Sequence, residues 1–157
     1  MIRPLVIFPD ERLTTVSKYV NRFDKELVDL VSDLFQTMYD SDGVGLAACQ
    51  IGVLRRIFVM DVREKDEPHN PVAFINPVLL VKTGTEIDSE GCLSLPGVFL
   101  QVRRATYVVC AGQGLDGTHF SHAYRGLEAR VVQHEMDHLS GILFTARAVN
   151  ETMAAAQ

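Results

Sequence analysis

The rhythm of apolar and polar positions changes near Asp24. From there to Tyr39, Leu27, Leu30, Val31, Leu34, Phe35 and Met38 recur at spacings of three and four. That spacing gathers them on one face of an α-helix. The pattern predicts an amphipathic helix over Asp24–Tyr39, stopped by Asp42-Gly43. A second helical pattern runs from about Gly126 to Ser140, and Gly141 ends it. Between them, segments 55–62, 72–81, 98–111 and 118–124 are rich in β-branched and aromatic residues and read as strands. The polar stretch Arg63 to Pro71 reads as an exposed loop. Helix, strands, then helix predicts an α+β domain with mainly antiparallel β-sheets.

A chain of 157 residues can bury a core without covalent help. Residues 1–150 read as one domain and 151–157 as a short tail. The formal net charge of -5, with no basic cluster, speaks against a nucleic-acid groove. No apolar run is long enough to span a membrane. Pro4 and Pro9 interrupt the short apolar N-terminus, which does not read as a signal peptide. Three cysteines, Cys49, Cys92 and Cys110, are an odd set without close pairing. They read as reduced thiols in a cytoplasmic protein.

The strongest chemical signal lies on the second helix, in His134-Glu135-Met136-Asp137-His138. Positions four apart on a helix differ by only about 40° around the axis, so both imidazoles can reach one metal ion. Glu135 sits on the flank, better placed to move protons at a water on the metal than to bind the metal itself. The alternative is a surface helix with two solvated histidines. Leu127 and Val131 continue the His134–His138 stripe backwards and form an apolar wall or plain core. Arg130 borders that stripe. It reads as a solvated charge, with the mouth of the site as the alternative.

A catalytic metal usually takes three protein ligands and leaves one position open. The spacing in which a third His follows this pair six residues after His138 fails here, because that position is Phe144. A downstream Glu is offered only by Glu151 in the tail. The third ligand therefore comes from upstream. Cys92, in Glu90-Gly91-Cys92-Leu93-Ser94, is the best candidate, since a thiolate and two imidazoles make a sound tetrahedral set. Cys49 and Cys110 stay open as rivals. The glycine-rich stretch Gly43 to Gly52 lacks the Lys-Ser/Thr ending of a phosphate loop. It suits tight packing, or a backbone edge that binds a peptide strand with Gln50 as an amide donor.

Taken together, Gly43 to Gln50, Glu90 to Ser94 and Gln133 to Gly141 resemble the peptide deformylases in motif, order and spacing, and Pro9 to Leu13 resembles that family's opening. The resemblance implies antiparallel sheets packed around a central metal-binding helix. It implies a hydrolase that removes the formyl group from N-formylmethionyl nascent peptides, releasing formate through attack by a metal-bound hydroxide. By similarity, Cys92, His134 and His138 bind the metal and Glu135 is the general acid/base. Gln50 and the Leu93 N–H stabilise the oxyanion. Val44, Gly45 and Gly91 hold the substrate backbone, and Leu127 and Val131 wall the methionine pocket. A Glu90–Arg104 pair supports the site. The resemblance further implies one divalent ion, natively Fe(II), with Zn, Ni or Co as substitutes, and a monomer in the cytoplasm.

Four places depart from the family pattern. Cys49 stands where Pro is common, and Arg130 where an apolar residue is usual. Gly97-Val98-Phe99 replaces a polar stretch with an Arg. The chain stops soon after Val149, where many bacterial members continue into a ribosome-docking helix, so ribosome docking is not expected to carry over. Two other readings compete: a zinc peptidase, and an inactive relative that binds formylated N-termini.

Overall fold

The computed structural model describes residues 1–149. Two helices, α1 (Lys25–Asp40) and α2 (Gly126–Leu139), bracket seven strands. These are β1 (Gly45–Ala47), β2 (Ile57–Met60), β3 (Val72–Thr83), β4 (Glu86–Cys92), β5 (Leu95–Arg104), β6 (Tyr107–Gln113) and β7 (His119–Arg125). Five strands, ordered β1-β2-β3-β6-β7, make one antiparallel sheet, while β4 and β5 form a separate two-stranded ribbon. The α+β expectation holds.

α1 begins where its sequence offers a cap. The Asp24 carboxylate accepts the Leu27 N–H, filling one of the donors a helix start leaves open. Its end is the turn anticipated at Asp42-Gly43. Asp42 takes a positive φ, and the Gly43 N–H reaches back to the Met38 carbonyl at 2.9 Å. Leu27, Leu30, Val31, Leu34 and Met38 are buried, and Phe35 packs partly buried beside them.

Strand β2 separates the helices. Successive side chains of a strand face opposite ways. Ile57 and Val59 pack with α1, whereas Phe58 and Met60 join Val131, Val132 and Leu139 of α2. Both faces of β2 are therefore covered, which explains its continuous apolar run. A third cluster of Val6, Leu13, Leu95, Val102, Leu143 and Phe144 lies under the β4–β5 ribbon.

Two strand expectations need correction. Segment 98–111 is not one strand: it breaks at Ala105-Thr106, where the chain leaves the ribbon and enters the large sheet. The Gln133 side chain satisfies the break, accepting the Ala105 N–H and donating to the Ala105 carbonyl, each at 2.9 Å. Strand β4 was not anticipated. Its Glu86-Ile87-Asp88-Ser89 stretch is polar and mostly exposed, so it carries no apolar alternation to announce it. The loop 63–71 is exposed as expected, tied down where the buried Asp61 carboxylate accepts from Tyr39, His69 and the Asn70 N–H. The tail and the continuation beyond Val149 concern residues 150–157, outside those described.

Candidate metal centre

The first turns of α2 and the tip of the β4–β5 ribbon meet across a cleft of about 540 Å³. Helix periodicity places His134 and His138 on the same side, with ring centroids 5.0 Å apart. Cys92 comes from the far end of β4, where a register shift between Glu90 and Cys92 turns its side chain toward the helix. One ligand atom from each of Cys92, His134 and His138 lies within 4.8 Å of the other two. The Cys92 Sγ to His138 Nε2 distance is 3.5 Å. Donors about 2.0–2.3 Å from a tetrahedral ion stand roughly 3.3–3.8 Å apart, so this corner fits one divalent metal.

The electrostatics of the corner also suit a cation. Burial, then the charges of His134 and Arg104, hold the His138 imidazole well below its ordinary pKa, leaving the neutral form that binds metals. Burial works against a charged His134, but contacts with Cys92 and Glu90 outweigh it and lift the imidazole to about 10. The acceptors that favour a proton there favour a cation there. His134 Nδ1 donates to Glu90 at 2.9 Å, which frees Nε2 for the corner.

The rival ligands fall away. Cys49 and Cys110 are both buried in the core beneath α2. Burial first of all pushes each thiol up to about 12, far from the thiolate that binds metal. The Cys49 thiol instead faces the His138 carbonyl at 3.8 Å. Phe144, where a third His would stand, lays its ring 5.9 Å from that of His134.

Glu135 lies beside the corner and is 4% exposed. Its Oε2 has no hydrogen-bond partner among the described residues, and neither does His138 Nδ1. Burial raises the Glu135 carboxyl to about 7, with His134 opposing the rise. A buried, unpartnered carboxyl poised near neutrality can accept and return a proton. Gly45 makes room for it: a Cβ there would sit 2.8 Å from Glu135 Oε1 and 2.8 Å from Val131 Cγ1.

Gln50 is held in one orientation. Its Oε1 accepts the Ala47 N–H at 2.9 Å, so its Nε2 faces Ser94 Oγ at 3.2 Å and Cys92 Sγ at 3.6 Å. Leu93 and Ser94 form the ribbon's two-residue turn. β1 is an edge strand of the large sheet, and Gly43, Val44 and Gly45 line the cleft. Gly91 lines the opposite side, where a Cβ would sit 2.8 Å from the Phe99 ring. Leu127 and Val131 both line the cleft. Val131 is buried, while Leu127 is 58% exposed and belongs to the rim.

Behind His134 sits a buried ionic cluster. The Arg104 fork grips Glu90 at 2.8 and 3.0 Å and reaches Asp137 at 2.7 Å. The Glu90–Arg104 pair is thus present. Burial alone would raise the Glu90 carboxyl, but hydrogen bonds from His134 and Arg104 outweigh it and hold it at about 2. Arg130 is not the solvated charge expected from its sequence position. It is 6% exposed and donates to Glu90 at 2.8 Å and to the Val102 and Glu86 carbonyls at 2.9 and 3.2 Å. Burial was hidden because its partners lie on strands about 28 to 44 residues away. The sequence reading also gave no role to Ser94, Gln133 or Asp137. All three stood inside the quoted motifs, which was the available signal.

A family model described as polypeptide deformylase matches residues 2–154. The peptide deformylase of Dictyoglomus thermophilum is 44% identical over 153 residues, covering 98% of this chain and 97% of that one. That of Acidobacterium capsulatum is 43% identical over 147 residues, covering 94% and 86%. Among solved structures, the peptide deformylase of Thermotoga maritima superposes with a TM-score of 0.90 at 38% identity, covering 96% of this chain and 99% of the other. A Met-Ala-Ser-bound class I type b peptide deformylase from Acinetobacter baumannii gives 0.89 at 32% identity, covering 94% and 98%.

Proposed function

The chain belongs to the polypeptide deformylase family, and from that premise we propose how its own residues carry out the reaction. It is a hydrolase that removes the N-formyl group from formylmethionyl peptides. Residues 1–150 form the catalytic domain, and Cys92, His134 and His138 hold a single divalent metal. The thiolate and two imidazoles suit Fe(II), Zn, Ni or Co, and Fe(II) is the native ion we propose. Such an ion would supply Lewis acidity, making water a better nucleophile near neutral pH.

The protein's side chains do the rest. The substrate backbone lies as an added strand along the open edge of β1 at Val44 and Gly45, with Gly91 across the cleft. Its methionine side chain rests against Leu127 and Val131. The Gln50 amide and the Leu93 N–H donate to the oxyanion that forms at the formyl carbon. Glu135 takes a proton from the attacking water and gives it to the leaving amine. A formyl carbon bears only hydrogen, so this narrow corner admits it and excludes bulkier acyl groups. The enzyme acts as a monomer in the cytoplasm. No helix among the described residues is long and apolar enough to cross a membrane.

One observation carries this reading. An unpartnered buried carboxyl, Glu135, adjoins a Cys-His-His corner at the floor of a cleft with a sheet edge for a wall. The test is anaerobic formate release from a formyl-Met peptide, with each metal restored in turn to stripped protein. Glu135→Ala should keep its metal and lose formate release. Full turnover by that variant would reject the role.

A further inference from the structure

The metal corner is divided between two parts of the fold that share no strand pairing. Both imidazoles ride on α2, whereas Cys92 rides on the β4–β5 ribbon, which is not hydrogen-bonded to the large sheet. An isolated two-stranded ribbon is marginally stable in water, so something must seat it. Apolar packing holds its underside through Leu95 and Val102. The side facing α2 is held by polar straps instead.

Two of these straps run in opposite directions. Arg104, on β5, reaches across to Asp137 on the last turns of α2. Arg130, on α2 one turn before His134, reaches back to the ribbon. It bonds the Glu90 carboxylate and the Val102 carbonyl through Nη1, and the Glu86 carbonyl through Nη2. Those partners span both strands of the ribbon. Among the described residues, Arg130 is the only side chain from outside the ribbon bonded to a β4 carbonyl. With Arg104, it also fills the Glu90 carboxylate, each oxygen of which accepts two hydrogen bonds when His134 is included.

From this geometry we infer that Arg130 is a positioning residue for the metal centre: by clasping β4 and β5 to α2, it sets Cys92 at bonding reach of the ion that His134 and His138 hold. This rests on the Cys-His-His reading given above. The forked guanidinium suits the task because one planar group meets a carboxylate and two carbonyls at once. Without it, the polar links between α2 and the ribbon come down to His134 on Glu90 and Asp137 on Arg104, with Gln133 holding Ala105 just past the end of β5. Groups that bond a metal ligand directly typically change metal affinity by about 10- to 100-fold when removed; Arg130 acts one bond further out, through Glu90 on His134 and through the ribbon on Cys92.

The test uses Arg130→Met, which keeps the stem's bulk and removes every donor. Cobalt(II) is loaded into the stripped protein, and the thiolate-to-cobalt charge-transfer absorption is read beside a Cys92→Ala reference. Retention of zinc against a chelator is measured in parallel. The expected result is a weakened or shifted charge-transfer band and metal held about 10-fold less tightly, the low end of that range. A wild-type band with wild-type zinc retention would overturn the inference. If Arg130→Met does not fold, Arg130→Lys carries the test, since it keeps the charge but cannot span three acceptors. Looser metal in that variant supports the clasp, and wild-type retention refutes it. Neither readout needs turnover. A wild-type protein with no thiolate band would instead remove the Cys92 assignment itself, and the clasp with it.

Discussion

Replacing Gly45 by alanine tests the site through a single methyl group. The new Cβ would meet Glu135 Oε1 and Val131 Cγ1, each at 2.8 Å. Ordinary contacts of this kind lie near 3.4 Å or beyond, so each neighbour must yield by about half an ångström. Both line the cleft yet are nearly covered, Val131 7% and Glu135 4% exposed, so what room they have to yield lies on the side of the site itself. Of the two, the carboxylate moves more easily, because no hydrogen bond anchors its Oε2. Displacing a proton-transferring group by up to an ångström costs about 10²-fold in rate, and overpacking destabilises by about 1–3 kcal/mol. Gly45→Ala should therefore lower kcat in formate release by about 10²-fold. KM should change little, because the strand-like contact with substrate uses backbone groups. Metal content should match wild type, and Tm should fall by about 2–10 °C. Gly114→Ala is the control, since its new Cβ meets nothing closer than 3.4 Å. Wild-type kcat in a folded Gly45→Ala protein would refute the idea that this glycine reserves the space in which Glu135 works.

Gln50→Ala should reduce kcat by about 10²- to 10³-fold with metal retained, the usual scale for losing one preorganised oxyanion donor. An unchanged kcat would place the oxyanion elsewhere. Cys49→Ala should keep full metal content, because that thiol is buried in the core and pushed up to about 12, whereas Cys92→Ala should lose the metal; elemental analysis distinguishes them. Asp33 accepts from the N-terminal amine and from Arg3, each at 2.6 Å, and these contacts lower its carboxyl despite burial. An acid lowered in the folded state stabilises above its unfolded value of 3.8 and stops doing so as pH falls through the folded one. Asp33→Asn should therefore cost roughly 1 kcal/mol at neutral pH, after discounting for the exposed partners, and progressively less as pH falls below 3.8 through the lowered folded value. Urea midpoints across that range check it, and an equal loss at both ends would contradict the assignment.

Features with a short period were legible in the chain itself. The spacing of Leu27, Leu30, Val31, Leu34 and Met38 defines the buried face of α1 because helix geometry repeats within four residues. For the same reason His134 and His138 had to share a side, with Glu135 on their flank. The motif segments around Gly43, Glu90 and Gln133 likewise announced which stretches meet. Tertiary structure decided the rest. Which of three cysteines is the third ligand depends on how the β4–β5 ribbon folds against α2, and no local pattern encodes that. Nor could the polar β4 announce itself, since its order comes from cross-strand pairing and from the side chains that strap it down. Arg130 shows the difference most plainly. On its own helix it reads as a surface charge, yet carbonyls and a carboxylate from distant strands make it a buried one. Periodicity fixes direction within one element, whereas burial of a charge depends on partners that only the fold brings close.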